Sequence, residues 1–172
     1  MRIERLTQQN LARCAGVLRQ PFAVIGRLLP EYRDGRWSAQ EELFPEPREK
    51  VYPDDVACAR FLEEEACAGF AALEGETCAG LLLLEAYWNR YAFVHELAVD
   101  REWRGRGVAT ALLARAIADA AAEGYAAVEA YPQMREARYE WDYAGPVRLY
   151  EKAGFQQIAQ GPDGELVLRK AL

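Results

Sequence analysis

Three groups of residues in this chain carry side chains or backbone that could do chemistry. The first is His95, the chain's only histidine, with Glu96 beside it. An imidazole that titrates near neutrality is a natural proton acceptor, and a neighbouring carboxylate can share or take over that role. The second is Arg104-Gly105-Arg106-Gly107-Val108-Ala109-Thr110, where two glycines lead directly into apolar residues at helical spacing. Such a turn has two readings: a tight strand-to-helix connection, or an anion site. In the second, the free N–H groups of a helix N-terminus are left uncovered by glycine and flanked by arginine, which suits a phosphate or pyrophosphate. The third is a set of aromatic residues, Trp88, Tyr91, Tyr131, Tyr139 and Trp141, with Glu140 among them. Aromatic faces with a carboxylate can hold a cation, and core packing uses the same side chains.

The elements that must position these groups follow from periodicity. Phe93–Val99 has the β-branched and apolar content of a strand. Strict alternation puts Phe93, His95 and Leu97 on one face and Val94, Glu96 and Ala98 on the other. A bulge, common beside active sites, would shift that register and exchange the roles of His95 and Glu96. From Val108 a helix runs through Leu112, Leu113, Ala116 and Ile117 to a stop at Gly124. Upstream, the pattern predicts a short strand over Met1–Leu6, a helix from Gln8 capped by Thr7, and a second helix over Pro21–Leu29. Residues 30–55 read as a long irregular loop or lid with prolines at 30, 45, 47 and 53. A helix near Asp54–Glu65 and a hairpin turning at Glu74-Gly75-Glu76 follow. After the long helix come a strand over Ala126–Tyr131, a short helix over Val147–Lys152 and a closing hairpin. The fold class expected is α+β, a mixed and mostly antiparallel sheet flanked by helices, in a single domain spanning 1–172.

The glycine turn resembles the acetyl-CoA-binding segment of the Gcn5-related N-acetyltransferases (GNAT), whose Q/R-x-x-G-x-G/A signature appears as Arg104 to Ala109. Leu149-Tyr150-Glu151-Lys152-Ala153-Gly154-Phe155 is similar to that family's closing motif. The resemblance implies a GNAT-like acyl-CoA acyltransferase fold with acetyl-CoA as cosubstrate and a primary amine as acceptor. It implies that main chain at Leu97, Ala98 and Val99 pairs with the pantetheine arm, if the central strand splays from its neighbour after Leu97. Arg104 to Thr110 would hold the pyrophosphate, and Arg101 or Arg106 the 3′-phosphate. Tyr150 would be the general acid that protonates the departing thiolate, and His95 or Glu96 the base. Tyr143 and Pro146 stand where the family commonly has Asn and Ala, which leaves open a non-catalytic acyl-CoA-binding module. Trp88-Asn89-x-Tyr91-Ala92 is also similar to the streptothricin acetyltransferases, which modify an amine of a cationic antibiotic, whereas Glu129–Pro146 departs from them; the aromatic residues themselves make Trp88, Tyr91, Tyr131 and Trp141 the candidate walls of a small cationic acceptor's pocket.

Composition bounds these expectations. The 172 residues are 51% hydrophobic and 28% charged, a globular balance large enough for one full core. A net charge of −6 argues against a general nucleic-acid binder. No apolar run approaches membrane-spanning length, and the first ten residues carry no signal-like core, so the expectation is a cytoplasmic protein without membrane partners. Four cysteines without Cys-x-x-Cys spacing and one histidine predict no metal site and reduced thiols. A homodimer is common in the family resembled.

Overall fold

A computed structural model describes residues 1–18, 21–51, 61–132, 147–161 and 166–172. Seven strands form one sheet in the order β1-β4-β5-β6-β7-β9-β8. They are β1 (Arg2–Arg5), β4 (Cys67–Glu74), β5 (Thr77–Ala86), β6 (Tyr91–Val99), β7 (Ala127–Ala130), β8 (Gln156–Gln160) and β9 (Leu166–Ala171). All neighbours are antiparallel except β6 and β7, which run parallel. Helix α1 (Gln8–Leu18) packs on one face, and α2 (Val108–Ala122) on the other; α3 (Val147–Lys152) precedes the final hairpin. This is the α+β, mostly antiparallel arrangement expected.

The core lies on both faces of β4 and β5. Leu82 and Leu84 join α2 residues Val108, Leu112, Leu113, Ala116 and Ala120, while Leu81 and Leu83 join Leu6, Cys14, Val17 and Phe61. A strand buried on both faces has no reason to alternate, which is why Leu81–Leu84 reads as an unbroken apolar run. Gly80 sets how closely α2 can sit: a Cβ there would lie 2.9 Å from Val108 Cγ1 and 3.0 Å from the Ala98 carbonyl. That close approach fixes the start of α2 against the end of β6, where the glycine turn must work. At α1, Thr7 Oγ1 accepts from the Asn10 N–H at 3.4 Å and Asn10 Oδ1 accepts from the Thr7 N–H at 2.7 Å, a reciprocal cap.

One expectation is overturned. The helix predicted over Pro21–Leu29 and the irregular stretch predicted from residue 30 are instead a two-stranded ribbon, β2 (Phe22–Arg33) and β3 (Arg36–Lys50). Asp34 (φ 50°) and Gly35 (φ 76°) make its two-residue turn, the Asp-Gly pair that matches strand twist. A ribbon with two free edges tolerates prolines 30, 45 and 47, which would have broken a central strand. Of the predicted helix near Asp54–Glu65, residues 52–60 lie outside the described set, and 61–63 are helical. Among the described residues no helix is long and apolar enough to cross a membrane.

Candidate active site

The glycine turn begins where β6 ends. Asp100 Oδ1 accepts from the Glu102 N–H at 2.9 Å and its own N–H donates to Ala79 at 3.0 Å, closing a 3-10 turn over Arg101–Trp103. Gly105 and Gly107 then take φ of +73° and +81°, the left-handed region where a side chain is strained. A Cβ at either would meet nothing within 4 Å, so the space in front of the turn is open. Gly107 gives α2 no side-chain cap, and the first helical hydrogen bond runs from the Ala111 N–H to Gly107 at 3.0 Å. The N–H groups of Val108, Ala109 and Thr110 therefore have no acceptor within the helix. Arg106 lies over the Trp103 ring at 5.2 Å and Arg104 Nε donates to the Val99 carbonyl at 3.2 Å. These contacts keep two cations beside the turn. The residues present fit a diphosphate.

Pairing between β6 and β7 covers only Tyr91–Ala127, Ala92–Val128 and Phe93–Glu129. β7 stops at Ala130 while β6 runs on to Val99, so the strands part just after Phe93, earlier than the expected Leu97. On that side, Leu97, Ala98 and Val99 have no strand partner among the described residues. The Leu97 N–H donates to the Glu96 carboxyl and the Val99 carbonyl accepts from Arg104, so an extended amide-bearing ligand pairing along this edge would take over side-chain contacts rather than displace a strand.

The same strand carries a bulge. Leu84 pairs with Val94 but Leu83 with Glu96, so His95 is the extra residue. Val94 and Leu97 both pack toward α2, three positions apart where alternation allows two. The two residues between them, His95 and Glu96, consequently share the opposite face: Glu96 opposes Leu83 of the α1-side core, and His95 lies against Phe61 of that core. The expectation that the two face opposite ways is corrected. The bulge puts both on one side, adjacent to the parting of the strands.

His95 Nδ1 is 3.4 Å from Glu85 Oε2, and its ring lies 5.2 Å from Phe61 and 5.8 Å from Phe93. Loss of water around Glu96 pushes its carboxyl above the usual glutamate range, opposed by His95 and by a main-chain hydrogen bond from Leu97. Along the same face, Tyr87 stacks on Phe93 at 4.6 Å and Phe93 meets Tyr131 edge-on at 6.2 Å. Tyr131 donates its hydroxyl to Glu129 at 2.6 Å, and Arg169 grips the other Glu129 oxygen at 2.6 and 2.7 Å. Arg169 also lies over the Tyr91 ring at 4.6 Å. Burial first, then the bond to Glu129, drives the Tyr131 phenol well above the ordinary tyrosine range, so it remains a hydroxyl donor at any physiological pH.

Of the predicted wall residues, the structure brings Tyr91 and Tyr131 together on this face. Trp88 is 95% exposed at the β5–β6 turn and forms no wall there. Trp141, Tyr139 and Glu140 lie outside the described residues. Tyr150 is buried at 4% exposure, its ring 5.4 Å from Phe155 in the α2-side core, on the other face of the sheet from His95 and Glu96. The sequence reading missed Glu85, Tyr87, Phe93, Glu129 and Arg169. Only Glu129 gave a signal: a lone acid between Val128 and Ala130 in an apolar strand must be buried with a partner.

A mixed sheet with a parting parallel pair, a bulged strand at the parting and an uncovered helix start beyond it is an acyl-CoA-type transferase frame. The chain belongs to the acetyltransferase (GNAT) family, whose pattern matches residues 29–155. It is 39% identical over 98 residues to streptothricin acetyltransferase A of Bacillus subtilis (strain 168), a stretch that spans 57% of each chain. Its fold is similar to that of a protein described as a streptothricin acetyltransferase from Bacillus anthracis str. Ames, solved with acetyl coenzyme A. That likeness has a TM-score of 0.63 at 21% identity, over 97% of this chain and 94% of that one. The ribosomal-protein-S18-alanine N-acetyltransferase from Escherichia coli gives the same TM-score at 15% identity, over 99% and 92%.

Proposed function

We propose that this chain is an acetyl-CoA-dependent N-acetyltransferase acting on the primary amine of a small, cationic acceptor, with streptothricin-like antibiotics the first class to test. The observation that carries the reading is the bulge in β6: it sets two proton-accepting side chains on one face, beside the unpaired edge of β6 and one turn from the uncovered start of α2. The family and the relative at 39% identity support the same reading.

In this reading the pyrophosphate of acetyl-CoA rests on the N–H groups of Arg104 to Thr110 and the pantetheine pairs along Leu97, Ala98 and Val99. The acceptor lies on the His95 face among Tyr87, Tyr91, Phe93 and Tyr131, with Glu85 and Glu96 favouring a cation. The neutral amine nitrogen attacks the thioester carbonyl, the carbon–sulfur bond breaks and an amide forms. One proton leaves the amine for His95 or Glu96. One proton reaches the CoA thiolate from the Tyr150 phenol, which water replenishes.

The burial of Tyr150 on the far face favours a second reading, a module that binds acyl-CoA without turnover. Calorimetric titration with acetyl-CoA, then thiol release with a panel of amines, separates the two. The enzyme binds acetyl-CoA, binds it more weakly as Arg104→Ala, and releases thiol only when an amine is present. Binding without amine-dependent release selects the module, and a folded sample that binds no acetyl-CoA removes both.

A further inference from the structure

We infer that Glu85 is the positioning residue for His95, fixing which imidazole nitrogen is available as the base. This rests on the acetyltransferase reading above for its catalytic consequence, though not for its geometry. Glu85 lies on β5 opposite Phe93, two positions before His95 on β6. Without the bulge, the residue after Val94 on this face would be followed by one pointing away. With it, Glu96 joins His95 on the face of Phe93, and His95 Nδ1 lies within 3.4 Å of Glu85 Oε2. Phe61 and Phe93 bracket the ring at 5.2 and 5.8 Å, one tilted and one edge-on, and limit its rotation. The imidazole thus meets two aromatic rings and one carboxylate, with its side chain still 38% exposed for an acceptor to reach.

A carboxylate accepts and does not donate, so the nitrogen facing Glu85 must carry the hydrogen. Nδ1–H toward Glu85 leaves the Nε2 lone pair facing away from β5, toward the acceptor face. The arrangement divides the labour between the neighbours. His95 Nε2 takes the amine proton, and the resulting imidazolium is held by the carboxylate behind it. Glu85 gains no proton at any step. Glu96, next along the same face, supplies negative charge near the incoming cation. The assignment accounts for a charged residue on an otherwise apolar strand end, where Leu81 to Leu84 precede it.

The single histidine makes this directly observable, because its imidazole nitrogens need no assignment among others. Long-range nitrogen–proton correlation spectra of the labelled protein, taken above the imidazole titration, report which nitrogen bears hydrogen. The expected result is the Nδ1–H form in the native protein and reversion toward Nε2–H in Glu85→Ala. Glu85→Gln keeps side-chain volume and a carbonyl acceptor, so it should hold the Nδ1–H form while losing the charge. For both variants kcat with an accepted amine should fall about 10-fold or more, with acetyl-CoA affinity by calorimetry unchanged. An Nε2–H form in the native protein overturns the proposal even if neither variant folds, as does a tautomer indifferent to Glu85→Ala. Failure of the native protein to turn over any amine would sink the acetyltransferase reading and leave the tautomer result standing.

Discussion

The two halves of the candidate site are built from different materials. The glycine turn offers a ligand main-chain N–H groups, and its side chains matter chiefly by being absent: Gly105 and Gly107 leave open space where a Cβ would sit. The bulged face offers side chains, from β5, β6, β7 and β9, each useful only because a particular register sets it beside the others. A main-chain site recognises a feature shared by every acyl-CoA, its diphosphate, and constrains few side chains beyond the two glycines and the flanking arginines. A side-chain site can be retuned residue by residue. Under the proposed function, the glycine turn is therefore the fixed part of the site and the bulged face the adjustable part.

The largest effect should come from Tyr150, which lies in neither half. Tyr150→Phe removes only a hydroxyl from a buried ring and should leave acetyl-CoA binding intact while lowering kcat about 100-fold. Unchanged turnover would take the general-acid role from Tyr150 and shift the protonation of thiolate to water. Next is the network that stiffens the acceptor half. Arg169→Met strips both guanidinium contacts from one oxygen of Glu129, which is 5% exposed, and among the described residues leaves its buried carboxylate the Tyr131 hydroxyl alone. A loss of about 2 kcal/mol follows at neutral pH, or roughly 4–8 °C in Tm. A variant as stable as the parent at pH 7 would show that Glu129 is neutral or solvated.

Gly107→Ala probes the other half and should cost less. At φ +81° an alanine is strained by about 1–2 kcal/mol, and its methyl group would take up part of the open space in front of the turn. Acetyl-CoA affinity should drop about 10-fold, equivalent to about 1.4 kcal/mol, with the amine KM little changed. An equal loss on both substrates would mean that the two halves are not separable.

The same contrast explains what could be read in the sequence. The glycine turn, the α2 start at Val108, the Gly124 stop and the Val147–Lys152 helix are local, and each was legible from spacing alone. The Asp34-Gly35 turn is equally local and went unread beside prolines 30, 45 and 47, although proline argues against a strand only when both edges are paired. The acceptor face was not legible in the same way. Glu85, Glu129 and Arg169 meet His95 and Tyr131 only through the order β5-β6-β7-β9, a long-range property. The bulge at His95 changes the facing of one residue with no marker in composition, so alternation alone put Glu96 on the wrong side.

The smallest effect separates function from stability at a single carboxyl. Desolvation raises the Glu96 carboxyl above its unfolded value, so the folded state binds its proton more tightly than the unfolded state does. The sign follows: stability from this group is present below the ordinary glutamate range and is lost as pH rises through the raised folded value. At neutral pH, Glu96 therefore weakens the fold slightly, and Glu96→Gln should raise Tm by a small amount that vanishes near about pH 4, where the parent carboxyl is itself protonated. The same substitution should impair use of a cationic acceptor through KM if Glu96 only attracts it, and through kcat if Glu96 is the base. A lower Tm at pH 7 would show that the ionised carboxylate is held by favourable contacts, and would place Glu96 with the structural carboxylates such as Glu129. A gain in Tm with a loss in KM alone would leave proton transfer to His95.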